Sequence, residues 1–153
     1  MSKFENKYMK MAIKEAEKGI EKGDGGPFGA VIVKNGKVVG KGHNKVLKNN
    51  DPTCHGEIEA IRNACKKLKT YDLSGCMLFT THYPCPMCLG AIRWSNIDEI
   101  FYGCSVDDTD KIGFRDKEFY EEQPPIMVHH LEYDRDKCLE LSNKYMNMEH
   151  TLY

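Results

Sequence analysis

Apolar residues recur at every fourth position at the start of the chain: Phe4, Tyr8, Ala12, Ala16 and Ile20, with Met9 and Ile13 beside them. That spacing predicts one apolar face of a helix. The helix is expected to stop near Gly23, where Gly23-Asp24-Gly25-Gly26-Pro27 supplies loop residues. Phe28 to Val33 and Lys37 to Gly42 then read as two strands around Asn35-Gly36, a pair suited to a tight hairpin. A polar loop ends in Asp51-Pro52-Thr53. Beyond it, Ile58, Ile61, Ala64, Cys65 and Leu68 mark a second helix. Met77 to Thr81 reads as a buried strand, Pro86 to Trp94 as a helix, and Glu99 to Gly103 as a short strand. A fifth strand is expected over Ile126 to Leu131, after Pro124-Pro125, and a last helix from about Arg135 to Met146. Alternation of this kind predicts an α/β sheet layered by helices.

With 153 residues and no linker, repeat or low-complexity tract, the chain is expected to form one domain over residues 1–153. Lys plus Arg number 22 and Asp plus Glu 23, a net charge of −1. A tight binder of nucleic-acid backbone carries a basic surplus, so this balance argues against a nucleic-acid substrate. The best basic cluster, Lys66-Lys67-Leu68-Lys69, reads as a solvated helix end. No apolar run approaches membrane-spanning length. The first ten residues are charged and lack the apolar stretch of a secretion signal. Seven cysteines, an odd number, argue against a disulfide scaffold. The expectation is a cytoplasmic protein whose thiols are reduced or bound to metal, Cys54 and Cys104 being buried and inert.

The candidate chemistry lies in two short motifs. Pro84-Cys85-Pro86-Met87-Cys88 places two thiols three positions apart at a helix start, where the ionised forms are favoured. Alone, the pair could serve redox chemistry or half of a structural zinc site. His55-Gly56-Glu57, at the start of the preceding helix, changes that picture. One histidine and two cysteines fill three zinc positions and leave the fourth for water, as catalytic zinc requires. Glu57 can stand beside that water without ligating the metal. An H-x-E motif followed by P-C-x-x-C is the signature of zinc deaminases. Glu57 would then carry the water's proton to a ring nitrogen and to the departing amine.

These motifs resemble the cytidine-deaminase superfamily over nearly the whole chain, and within it the bacterial guanine deaminases. The shared stretches are Gly25 through Val33, Asn50-Asp51-Pro52-Thr53, Ala60-Ile61-Arg62 with Ala64-Cys65, Pro84 through Ile92, and Ile112-Gly113-Phe114-Arg115-Asp116. The resemblance implies a three-layer α/β/α fold around a central five-stranded mixed sheet. It also implies a homodimer in which the C-terminal segment, about 132–153, is exchanged to cover the partner's site. By position it implies zinc on His55, Cys85 and Cys88, with Glu57 as the catalytic acid and base. Around the substrate it places Asn44, Phe28, Trp94, Asp116, His82 and the terminal Tyr153. Read without the family, Asn44 is a turn residue, Phe28 and Trp94 are core aromatics, and Asp116 is a surface carboxylate.

The chain departs from the guanine pattern twice. Gly56 stands where guanine and tRNA-adenosine deaminases have Ala, as in fungal-type cytosine deaminases. Tyr83 replaces a Glu before the Pro-Cys pair, and offers a base one hydrogen bond in its place. The expected reaction is hydrolysis of guanine to xanthine and ammonia. Cytosine or a related aminated heterocycle is the alternative, followed by tRNA adenosine and then a non-catalytic zinc module.

Overall fold

The structure is a computed structural model that describes residues 3–123 and 133–153, with side chains from residue 6 onward. Contacts divide the chain after Gln123. The larger unit holds helices α1 (Lys3–Lys22), α2 (Val46–Asn49), α3 (Gly56–Leu68), α4 (Pro86–Trp94), α5 (Val106–Lys111) and α6 (Asp116–Tyr120). It also holds strands β1 (Gly29–Lys34), β2 (Lys37–His43), β3 (Cys76–His82) and β4 (Glu99–Cys104). Helix α7 (Arg135–Met146) lies in the smaller unit.

Among the described residues the sheet has four strands in the order β2-β1-β3-β4. β1 pairs antiparallel with β2 and with β3, whereas β3 and β4 run parallel, so the sheet is mixed. The predicted strand over 126–131 falls outside the described residues, and a fifth strand is not seen here. The period-two alternation of β1 sorts its side chains into two cores. Ala30 and Ile32 pack with Ala60, Ala64 and Ile92 from α3 and α4. Val31 and Val33 pack with Tyr8, Met9 and Ala12 from α1. Helices therefore cover both faces of the sheet, giving three layers.

The apolar stripe of α1 is shorter than the sequence pattern suggests. Tyr8, Met9, Ala12 and Ala16 are buried, but Ile13 and Ile20 are about half exposed. Steps of four residues overshoot a full helical turn by about 40°, so a strict fourth-residue stripe drifts off the face it starts on. Helices α2, α5 and α6, each six residues or fewer, have no counterpart in the sequence pattern. Elements that short show no periodicity. A local signal for α5 does exist, since Ser105 and Asp108 form a capping box at its start.

Candidate metal centre

Two helix starts meet beside the beginning of β1 and the end of β3. His55 is the N-cap of α3 and Cys85 the N-cap of α4, with Pro86 in the first turn setting the backbone of α4. Neither residue makes a side-chain capping hydrogen bond, and the two side chains converge. His55 Nδ1 lies 3.5 Å from Cys85 Sγ and 3.5 Å from Cys88 Sγ. A tetrahedral zinc ion, about 2.3 Å from sulfur and about 2.0 Å from nitrogen, separates such ligand atoms by roughly 3.5 Å. Among the described residues, these three form the one His/Cys/Asp/Glu group close enough to share an ion.

The charge balance also calls for a cation. Hydrogen bonding to Cys88 brings the Cys85 thiol down to about 4, with burial opposing it. The same interaction, together with burial and the nearby Glu57, pushes the Cys88 thiol up. The site thus stabilises one thiolate by itself, and a divalent ion is what allows a second. His55 is raised, first by its hydrogen bond to Cys85 and against burial.

Glu57 is buried in the first turn of α3, and burial pushes its carboxyl up to about 7, against a hydrogen bond with Cys88. A carboxyl with that value can both take and return a proton near neutral pH. Asp116 opens α6 and is half-buried; burial raises its carboxyl first, and the charge of Cys85 adds to that. Asp116 is thus partly buried and within electrostatic reach of Cys85 and His55.

Phe28, His82 and Phe114 form an aromatic wall. Phe28 meets His82 edge to face at 4.9 Å and Phe114 at 4.8 Å. Phe114 belongs to the Ile112–Asp116 stretch but has no predicted role of its own. His82 donates to or accepts from Thr81 Oγ1 at 2.9 Å, and burial lowers its pKa. Asn44 is buried; its backbone N–H donates to Phe28 O at 3.0 Å and its side-chain oxygen accepts from Val46 N–H at 3.0 Å. The turn role is thus the one the side-chain oxygen fills.

Other expected contacts sit differently. Tyr83 packs its ring against Tyr102, edge to face at 5.0 Å, with Tyr120 at 6.2 Å. Tyr120, which drew no notice in the sequence, donates its hydroxyl to the carbonyl of Pro84. Trp94 ends α4, at the far end of the helix from Cys85 and Cys88, and is 69% exposed. Tyr153 lies beyond α7 in the smaller unit.

Residues 2–104 match the cytidine and deoxycytidylate deaminase zinc-binding region. The chain belongs to that family. This deaminase chain is 48% identical to a guanine deaminase of Bacillus subtilis over 115 residues, which span 75% of the chain and 74% of that protein. It is 43% identical to a tRNA-specific adenosine deaminase of Aquifex aeolicus over 95 residues, 62% of each protein. A solved guanine deaminase from Bacillus subtilis superposes with a TM-score of 0.86 at 37% identity, covering 99% of this chain and 100% of that one. A guanine deaminase from Nitrosomonas europaea gives a TM-score of 0.68 at 33% identity, over 71% of this chain and 63% of that one. Zinc is the family's metal, and His55, Cys85 and Cys88 are grouped to hold it.

Proposed function

We propose that this chain hydrolyses guanine to xanthine and ammonia, with His55, Cys85 and Cys88 holding zinc. The observation that carries the choice of base is Asp116, a half-buried carboxylate electrostatically coupled to Cys85 and His55 at the metal centre. In this reading Asp116 accepts from a base that has N–H groups to donate, and a base without them leaves that acceptor unpaired. The likeness to guanine deaminases along almost the full chain supports the same choice.

Bound by His55, Cys85 and Cys88, zinc would supply a nucleophile from water near neutral pH. Glu57 receives one proton of that water and delivers it to a ring nitrogen of the base, then carries the remaining proton of the new hydroxyl to the amine as the carbonyl forms. The carbon–nitrogen bond breaks after the carbon–oxygen bond forms, and ammonia leaves. Asp116 accepts hydrogen bonds from the purine edge, while the Asn44 amide donates to the base from the opposite element. The Phe28–His82–Phe114 wall excludes water and supports the ring face. Trp94, Tyr83 and Tyr153 complete the pocket in this reading, Tyr153 from an exchanged segment 132–153 of a homodimer. A five-stranded sheet, the cytoplasmic location and a single folding domain belong to the same proposal.

Ammonia release from zinc-loaded protein tests it, on guanine, cytosine, adenine, their nucleosides and the anticodon arm of tRNA. Turnover of guanine above every other substrate is expected. Strong turnover of cytosine or tRNA with none of guanine overturns the assignment.

A further inference from the structure

Away from the metal centre lies a second buried group of titratable side chains. His43, the last residue of β2, is 5% exposed. Its Nδ1 lies 3.1 Å from Glu15 Oε2 on α1, and its Nε2 lies 2.7 Å from Asp24 Oδ2 in the loop that follows α1. Each ring nitrogen thus faces a carboxylate oxygen within hydrogen-bond distance. The ring is seated tightly as well. A Cβ placed on Gly19 of α1 would fall 2.6 Å from His43 Cδ2, so α1 carries no side chain where the imidazole passes.

Burying three ionisable groups costs desolvation, and such clusters are weak devices for stability. They do hold geometry, because each hydrogen bond fixes a direction. The geometry held here leads to Asn44. Asp24, clamped by His43, accepts through its carbonyl from the N–H groups of Leu47 and Lys48, both 3.0 Å away. Those residues lie just past Asn44. Gly25, beside Asp24, approaches so closely that a Cβ would meet Asn44 Oδ1 at 2.1 Å. The loop carrying Asp24 therefore contacts Asn44 from one side, and His43 is bonded to it directly through the chain.

We propose that the Glu15–His43–Asp24 clamp is a positioning device that fixes the Asn44 amide toward the base. His43 touches no substrate; it acts through Asn44. This rests on the reading of Asn44 as a base contact.

A double-mutant cycle tests it. His43→Leu removes both hydrogen bonds at similar bulk, and it is made in native and Asn44→Ala backgrounds. Zinc content, KM and kcat for guanine are measured for each zinc-loaded protein. The expected result is an about tenfold higher KM for His43→Leu, with zinc retained and kcat changed far less. In the Asn44→Ala background the same change adds nothing to KM. Should His43→Leu fail to fold, Asp24→Ala, which leaves the ring bonded to Glu15, carries the same comparison. An unchanged KM, or effects that add in full across the two sites, overturns the inference while wild-type turnover upholds the deaminase reading. Absence of ammonia release from guanine by the zinc-loaded wild type overturns that reading, and the clamp's proposed role with it.

Discussion

A Cβ built on Gly56 would lie 3.1 Å from the carbonyl oxygen of Phe28. The missing side chain thus faces the backbone of the loop entering β1, so Gly56 concerns how α3 seats against the sheet. Replacing it with Ala compresses that contact by a few tenths of an ångström, yet adds helix propensity worth up to about 1 kcal/mol. The two effects oppose each other. Gly56→Ala is expected to shift stability by no more than about 1 kcal/mol and to leave base preference intact. A changed ranking in the substrate panel would show that Gly56 is read by the base.

Glu57 is buried with its carboxyl hydrogen-bonded to Cys88, and the proposed reaction has that carboxyl move the protons. Glu57→Gln keeps the shape and removes the proton acceptor. Turnover should fall by roughly a hundredfold to ten-thousandfold, with zinc bound at the native level. Metal analysis beside a single-turnover assay decides this. Native turnover by the zinc-loaded Glu57→Gln variant would remove Glu57 from its role.

Cys88 is fully buried, and its hydrogen bond to Cys85 and its burial push the thiol up. Metal binding therefore couples to stability. Chelation should abolish turnover and lower the melting temperature, both recovering when zinc is returned. At free zinc a hundredfold above its Kd, the coupling contributes about 2.7 kcal/mol. Cys88→Ser should weaken zinc binding and reduce that recovery. A melting temperature that ignores chelator, in a protein shown to have lost its zinc, would contradict the coupling.

Asp24 is held below its usual 3.8, first by the hydrogen bond from His43 and against desolvation, with Lys48 and Lys22 nearby and Glu15 on the other side of the ring. A carboxyl lowered in the folded state binds fewer protons there than in the unfolded chain. Its contribution to stability is complete above 3.8 and is lost as pH falls through the folded value. Asp24→Asn should flatten the loss of stability below that pH. Urea midpoints measured from about pH 6 to about pH 3, in steps of roughly half a unit, check the slope. Equal slopes for the two proteins count against it.

Tyr83 meets Tyr102 and Tyr120 through its ring. Tyr120 is in turn bonded to the Pro84 carbonyl and belongs to α6, the helix that Asp116 opens. If the ring is what matters, Tyr83→Phe should keep KM and kcat within about threefold. Tyr83→Ala should lose about 1–3 kcal/mol of stability and raise KM for guanine, as α6 loosens beside the metal centre. A Phe variant as damaged as the Ala variant would assign the role to the hydroxyl.

Much of the metal centre was legible in the chain because its geometry is local. Cys85 and Cys88 are one helical turn apart, and His55 and Glu57 share the start of α3, so spacing alone predicts the chemistry. The layers were legible for the same reason, since β1 alternates over consecutive residues between its two cores. Long-range relations carry no such mark. That Asp116 reaches the charges of Cys85 and His55, that Phe114 leans on Phe28, and that Tyr83 turns to Tyr102 depend on loops whose paths no periodicity records. Ligand chemistry and helical spacing are enough to mark the atoms that can hold zinc. What surrounds those atoms follows from how distant segments pack. His43 meets Glu15 and Asp24 because α1, its following loop and β2 pack together, and burial then makes those polar groups find one another.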